Sequence, residues 1–209
     1  MLKTRYIALT LGLACSMILP SAWSARSLVI TVYPHDELAD ISDKQLQDDY
    51  FQHWLDEMRS FTQHPIEVIF QRSIRGLTDI DYRAMSSNQI LDAFTEEITT
   101  QRSARPFSFM NKDLLLTKDS YDRSGLNFVA GLAHINGNTG IASMVTYAVP
   151  GHEIGHMLSA THENAKTEFN GWFCETYMVP NRVPLRSNCY RYSDQNRAAI
   201  ADYLKRNSN

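Results

Sequence analysis

Cysteine, basic runs and long apolar segments are all scarce in this sequence. Only three of its 209 residues are cysteine, and none of them form a C-x-x-C pair, which argues against zinc ligation by cysteine. Lysine and arginine are dispersed, so nothing indicates a nucleic-acid partner. No segment after residue 24 is long and apolar enough to cross a membrane. Repeats and low-complexity tracts are also absent, which favours one ordinary folded domain.

The first 24 residues have the composition of a signal peptide. Lys3 and Arg5 supply a positively charged start, and residues 7–19 form an apolar run of 13 residues that is too short for a stable membrane span. Ala22 and Ser24 are small residues at the two positions that a signal peptidase reads, so we place cleavage after Ser24. This pattern predicts an exported protein, either periplasmic or secreted.

Residues 25–209 are predicted to form a single domain of about 185 residues. Loss of Lys3 and Arg5 leaves 18 basic against 23 acidic residues, a net charge of −5, and we expect a monomer. The domain keeps two cysteines, Cys174 and Cys189, and an even number in an exported chain predicts a disulfide. A bridge closing a loop of this length contributes about 3 kcal/mol in the chain-entropy model. Two free buried thiols are the alternative.

Hydrophobic periodicity divides the domain into strands and helices. Ser42 opens a capping-box pattern, Ser193 is a candidate N-cap, and Pro150 must lie in the first turn of its helix or bend it. Their order predicts an α/β (α+β) fold, a mixed twisted sheet with packed helices. The predicted strands are 28–33, 66–71, 113–118, 131–135 and 140–144, and the predicted helices are 42–61, 87–101, a helix carrying residues 152–156, and 193–205.

Residues 152–163 carry the strongest chemical signal, H-E-x-x-H followed six residues later by a third histidine. Positions i and i+4 lie on one helix face, so His152 and His156 can direct two imidazoles at one ion. Glu153 lies about 100° round the helix, close enough to reach a water on that ion. A chain that leaves the helix near Ser159 can bring His162 back to the same ion. Nitrogen ligands, an open coordination position and a carboxylate are what a zinc hydrolase needs.

The same stretch resembles the metzincin zinc endopeptidases, whose pattern is H-E-x-x-H-x-x-G-x-x-H with a methionine-containing turn downstream. The resemblance implies that His152, His156 and His162 bind one catalytic zinc ion and that Glu153 is the general base. It also implies that Met178 is the methionine beneath the metal. The family's organisation further implies a central zinc-binding helix followed by a small irregular C-terminal subdomain, with the substrate cleft between the two parts.

Two further stretches extend the resemblance over roughly residues 131–180. The Met-Val-Pro sequence at 178–180 is similar to the Met-x-Pro of the matrixin branch, in which the segment after the methionine walls the primary specificity pocket. Residues 131–137 resemble the edge strand and following loop of reprolysin-like members, where substrate backbone pairs. The candidate substrate-binding residues are therefore Gly131, Ala133, His134, Val179 and Pro180.

One position departs from the family pattern, because Ser159 stands where the family has a glycine. That glycine supplies a positive φ at the helix end, which serine adopts at a cost of about 1 kcal/mol. An alternative third ligand is Glu175, which lies nineteen residues after His156, as in gluzincins. Glu163, next to His162, is predicted to be a surface carboxylate or one that orients a ligand.

The expected reaction is hydrolysis of a peptide bond in a protein or peptide substrate. A zinc-activated water attacks the bond, and Glu153 takes the proton of the water and passes it to the leaving amine. Extended substrate would pair with the edge strand by β-augmentation. Tyr147 and Tyr177 are candidates for stabilising the oxyanion.

Two other functions are compatible with the same residues. A zinc hydrolase of a non-peptide amide would share every residue named so far. A non-catalytic exported binding domain could keep zinc for stability, but a structural zinc site needs a fourth protein ligand. His64 and His134 are the candidates for that fourth position.

Overall fold

The computed structural model describes residues 26–103, 107–125, 127–169, 171–183 and 185–208, so the predicted signal peptide lies outside the described residues. The strands are β1 (Leu28–Pro34), β2 (Ile66–Phe70), β3 (Asn111–Thr117), β4 (Tyr121–Ser124), β5 (Asn127–Val129), β6 (Gly131–Ala133), β7 (Thr139–Ser143), β8 (Thr167–Phe169), β9 (Phe173–Glu175) and β10 (Ser187–Asn188). The α-helices are α1 (Asp43–Leu46), α2 (Gln52–Phe61), α3 (Ser87–Arg102), α4 (Ala148–Met157) and α5 (Asp194–Asn207).

A mixed five-stranded sheet with the order β2-β1-β3-β7-β6 forms the centre of the fold. The first four strands in this order pair in parallel, and β6 pairs antiparallel with β7 at the edge, where Ala133 lies opposite Gly140. Parallel strands need long crossover connections. Helical segments connect β1 to β2 and β2 to β3, and the short strands β4, β5 and β6 lie between β3 and β7. The mixed sheet with packed helices confirms the fold class that the sequence predicts.

The sheet separates two hydrophobic clusters. Alternate residues of β3 divide between them, because successive side chains of a strand point to opposite faces: Leu114 and Leu116 join the larger cluster and Leu115 the smaller. The larger cluster also contains side chains of α2, α4 and α5, whereas the smaller contains one stripe of α3. Nine of the ten residues of α4 are buried, as expected for a helix that is apolar on most sides. The metal-site motif is therefore carried by a helix in the core.

The chain beyond α4 is made mostly of turns and very short strands, as the sequence predicts. β8, β9 and β10 form a small three-stranded sheet with the order β10-β9-β8. A disulfide joins Cys174 in β9 to Cys189, which directly follows β10. The side chain of Ser193 then accepts a hydrogen bond from Asn196 N and caps α5, as predicted.

Several local features differ from the sequence-based expectation. The predicted helix over residues 42–61 is continuous in the structure but contains a π-helical segment, Gln47–Phe51. The hairpin of β4 and β5 was not predicted, and β6 is two residues shorter than expected. Within the described residues, no helix combines the length and apolar character needed to cross a membrane.

Candidate metal centre

The end of α4 determines where the three histidines lie. Pro150 occupies the first turn, where its missing N–H costs no helical hydrogen bond, and this agrees with the sequence analysis. The chain then leaves the helix through Ser159, whose φ of +76° lies in the left-handed region that favours glycine. A hydrogen bond of 2.8 Å from Ala160 N to Gly155 O closes this turn. The turn brings His162 back towards the helix.

His152, His156 and His162 converge so that their ligand atoms all lie within 4.8 Å of one another. The Nε2 atom of His162 is 2.9 Å from Nε2 of His152 and 3.0 Å from Nε2 of His156. Among the described residues, no fourth histidine, cysteine or carboxylate belongs to this cluster. His64, one candidate for a fourth ligand, instead contacts Thr62 Oγ1 at 3.2 Å. The cluster is therefore a three-nitrogen site.

Backbone carbonyls orient two of the imidazole rings. His152 Nδ1 lies 2.7 Å from Tyr177 O, and His156 Nδ1 lies 3.1 Å from Ala160 O. A carbonyl oxygen only accepts hydrogen bonds, so each Nδ1 carries the proton and each Nε2 presents a lone pair to the cluster. Burial lowers the pKa of His152 to about 3 and that of His156 to about 4, which also favours the neutral rings. Converging lone pairs on neutral rings fit a divalent metal ion.

Glu153 is a buried carboxylate next to this cluster. Its side chain is only 4% exposed, and burial raises its pKa well above the usual range. It lines the same two cavities as His152 and His162. A Cβ atom at residue 131 would lie 2.6 Å from Glu153 Oε1, so the glycine there allows the edge strand to lie against the carboxyl group.

Met178 is buried and packs against α4 at Gly155. A Cβ atom on Gly155 would lie 2.6 Å from Met178 Sδ and 2.9 Å from Tyr192 Cε1, so glycine is required at this position of the helix. Tyr192 is fully buried, accepts a hydrogen bond of 2.9 Å from Trp54 Nε1 and donates one of 2.5 Å to Gly151 O. These contacts hold α4 against Met178, Tyr192 and Trp54, and no sequence pattern indicated the hydrogen bonds of Tyr192.

Two neighbouring cavities open beside the histidines. One runs along the edge strand, and the other runs between that strand and the segment after Met178. The predicted substrate-binding residues divide between them. The first cavity is lined by Gly131, Ala133 and His134, and the second by Gly131, Val179 and Pro180. The structure therefore brings all five residues to the surfaces around the metal centre.

Two other candidates, Glu175 and Tyr177, line the second cavity together with His152 and His162. Glu175, the alternative third ligand, is outside the histidine cluster and forms ion pairs with Arg182 and Arg186, both at 3.4 Å. The structure therefore does not bring Glu175 to the three histidines, as a gluzincin-like ligand scheme would require. The ring of Tyr177 packs against Gly151 of α4, as does the ring of Trp54.

The structure also describes two further candidates of the sequence analysis, Tyr147 and Glu163. The ring of Tyr147 stacks on Tyr190, with the ring centroids 5.2 Å apart. Glu163 is exposed beside His162, as the sequence predicts for a surface carboxylate. The sequence did not indicate the carbonyl groups of Tyr177 and Ala160, because every residue type carries a carbonyl. The isolated Gly131 in a strand pattern was the one available signal for a close backbone contact.

The fold is similar to that of metalloproteinase-II from Bacteroides fragilis, with a TM-score of 0.61 and 13% sequence identity over 87% of this chain. The match covers 54% of metalloproteinase-II, so this chain spans about half the length of that protein. A zinc-dependent peptidase from Methanocorpusculum labreanum matches over 82% of this chain and 99% of its own, with 13% identity and a TM-score of 0.49.

Archaemetzincin from Archaeoglobus fulgidus matches over 82% of this chain and 99% of its own, with 16% identity and a TM-score of 0.44. At such low identity, the similarity to metalloproteinase-II establishes a shared fold. No protein-family model matches the chain, and no curated protein is similar to it in sequence.

Proposed function

We propose that this chain is a zinc-dependent endopeptidase of the metzincin type. The observation that carries the proposal is the convergence of three histidine Nε2 atoms, two of them on rings held by backbone carbonyls, beside a buried glutamate. The fold that it shares with metalloproteinase-II supports the same conclusion. A matrixin-like or reprolysin-like affinity rests on the Met-Val-Pro and edge-strand sequences alone.

His152, His156 and His162 are the proposed zinc ligands. Three neutral nitrogens and no fourth protein ligand in the described cluster match the donor set of a catalytic rather than a structural zinc site. A zinc ion in such a site lowers the pKa of a water ligand towards 7 and polarises a carbonyl group. The hydrogen bonds to Tyr177 O and Ala160 O would hold two of the rings in the tautomer that binds metal.

Glu153 is the proposed general base. Its carboxylate would take the proton of the attacking water and pass it to the leaving amine. Contact with Gly131 leaves the carboxyl group little freedom to turn away from the cluster. Burial raises its pKa, whereas a bound cation would lower it and favour the ionised carboxylate that accepts the proton.

Extended peptide is the proposed substrate, and β6 is its proposed binding strand. β6 forms the edge of the central sheet, and among the described residues it pairs only with β7. An edge strand offers unpaired N–H and C=O groups to an added strand. The residues around it, Ala133 and His134, line a cavity together with His152 and His156.

Export of the mature residues 25–209 as one monomeric catalytic domain completes the proposal. The disulfide between Cys174 and Cys189 supports an oxidising compartment. The signal peptide is proposed from the sequence of residues 1–24 alone.

Digestion of a complex peptide library by the purified mature protein tests the function. Glu153→Ala and chelator-treated protein are run beside the wild type, and products are read by mass spectrometry. Cleavage by the untreated wild type alone, restored after chelation by added zinc, is the expected result. Bound zinc without cleavage of any peptide would instead favour the hydrolysis of a non-peptide amide or a binding role.

A further inference from the structure

An unbalanced group of charges lies at the end of the cavity that runs past Met178. Glu175 and Arg182 both line this cavity together with His152, Glu153 and His162. The Glu175 carboxylate is 1% exposed and faces two guanidinium groups, those of Arg182 and Arg186, each at 3.4 Å. It also accepts a hydrogen bond of 3.0 Å from Val183 N.

These contacts leave a net positive charge on the group formed by Glu175, Arg182 and Arg186. One carboxylate can balance only one of the two arginines. The side chain of Arg182 is 32% exposed, and Arg182 is the arginine that lines the cavity. Among the described residues, Glu175 is the only carboxylate that forms an ion pair with it, and its other contact is a long hydrogen bond of 3.4 Å from Nη2 to Ser187 O. Its guanidinium group therefore keeps donors for a further acceptor.

Part of the remaining cavity wall is apolar, which strengthens the electrostatic interaction of Arg182 with a bound group. Ala148, Val149, Val179 and Pro180 contribute apolar surface, which weakens the screening of a charge at the cavity end. The other carboxylate that lines the cavity, Glu153, is buried against Gly131 and forms no ion pair with Arg182 among the described residues. A negatively charged group that accepts hydrogen bonds is therefore complementary to the Arg182 end of the cavity. A cationic group would be repelled there.

We infer that Arg182 selects peptides that carry an aspartate or glutamate side chain at the position entering this cavity. The inference names a substrate class for the site, and it rests on the proposed function only in taking a peptide as the ligand. The Glu175 carboxylate pairs with both Arg182 and Arg186 and therefore offsets part of the Arg182 charge.

Peptide binding to the zinc-loaded Glu153→Ala protein tests the inference without turnover. The probes are fluorescently labelled hexapeptides of neutral residues in which a single glutamate or a single glutamine occupies each position in turn. Anisotropy should give a roughly fivefold lower Kd for glutamate than for glutamine at one position, the strength of a partly exposed arginine–carboxylate pair. The preference should weaken as salt is raised.

Substitutions of Arg182 and Glu175 should change this preference for glutamate in opposite directions. Arg182→Gln should abolish it, and Glu175→Gln should increase it, because the second substitution removes the only negative charge between two arginines. Arg197→Gln is the matched control, since Arg197 also pairs with a buried carboxylate, Glu57, with 27% and 3% of their side chains exposed, but lies outside the cavity. This control should keep the preference of the parent protein.

Equal affinity for glutamate and glutamine at every position would overturn the inference, as would absence of any peptide binding or a preference that survives Arg182→Gln. The Arg182→Gln arm stands even if Glu175→Gln fails to fold. Charge-independent cleavage of peptides by the wild type would sink the inference and leave the proposed function intact. Selective binding without any cleavage would do the reverse.

Discussion

The backbone of Gly131 lies directly against the carboxyl group of Glu153, where an added Cβ atom would stand 2.6 Å from Oε1 and 2.8 Å from Cδ. Real Cβ contacts are never this short, so a side chain at residue 131 must displace the carboxylate or the edge strand. The contact joins the proposed substrate strand to the proposed general base.

Gly131→Ala should therefore lower the rate of peptide hydrolysis by roughly 10²-fold, because displacement of a catalytic group by about 1 Å has an effect of that size. Zinc content should stay at the wild-type level, since the three atoms nearest to an added Cβ all belong to Glu153 and not to a histidine. Gly76→Ala is the control, because its φ of +82° imposes backbone strain away from the cavities. Wild-type turnover by Gly131→Ala would show that the carboxylate does not depend on this contact.

Removal of His162 should release the metal, whereas removal of Glu175 should not. His162 Nε2 lies within 3.0 Å of both other Nε2 atoms, and Glu175 is held by arginines outside the cluster. Zinc per chain, measured after exhaustive dialysis, should fall far below one for His162→Ala and stay near one for Glu175→Ala. The opposite ranking would return Glu175 to the ligand set. The Glu175→Ala protein should nevertheless be less stable, because it leaves two arginines around an empty site.

Ser159 is expected to combine backbone strain at the end of α4 with a stabilising hydrogen bond to a neighbouring loop. Its φ is +76°, and its hydroxyl donates a hydrogen bond to Asn136 Oδ1, a residue that also has a positive φ of 63°. Both Ser159→Gly and Ser159→Ala lose the hydrogen bond, but only glycine relieves the strain. In urea unfolding, Ser159→Gly should be more stable than Ser159→Ala by about 1 kcal/mol. Equal stability of the two variants would contradict a left-handed conformation at this residue.

Because of Lys112, the free energy of unfolding should rise as the pH is raised above neutral. Its ammonium group is fully buried and donates hydrogen bonds to Gly137 O at 2.8 Å and Tyr203 OH at 2.7 Å. Burial lowers its pKa in the folded protein to about 7, whereas the unfolded chain keeps the ordinary value of 10.5. Above pH 7 the unfolded chain therefore binds more protons than the folded protein, so the free energy of unfolding rises with pH.

The window for this measurement runs from about pH 7 to about pH 9, below the titration of the tyrosines. In that window the free energy of unfolding of the wild type should rise relative to that of Lys112→Met, which cannot titrate. Lys205→Met controls for a change in net charge, because Lys205 is exposed on α5. Parallel pH profiles for wild type and Lys112→Met would show that Lys112 keeps its ordinary pKa.

Much of the fold could be predicted where side-chain periodicity is regular. The β-rich run of β1, the alternation in β2 and the apolar stripe of α3 all appear close to their predicted bounds. The pairing of strands that are distant in sequence is not encoded by periodicity, so the order β2-β1-β3-β7-β6 could not be obtained in this way. The strands β8, β9 and β10 have two or three residues each and leave no periodic signal.

The candidate site was likewise predictable only in part from the sequence. Spacing alone brought His152 and His156 to one helix face, and the turn at Ser159 adds His162. The contacts that orient the rings come from backbone carbonyls, which the sequence cannot distinguish. The pairing of Glu175 with Arg182 depends on how the disulfide-linked strands fold back, and it changed the role expected for that glutamate.

The most direct test of the central claim is the hydrolysis rate of Glu153→Ala on the best peptide found for the wild type, measured at equal zinc content. We expect kcat to decrease by roughly 10²- to 10⁴-fold, the contribution of a positioned general base. The three histidines should hold zinc equally in both proteins. A variant that keeps more than about a tenth of the wild-type kcat would lie outside that range and would contradict the assignment of Glu153 and the proposed mechanism.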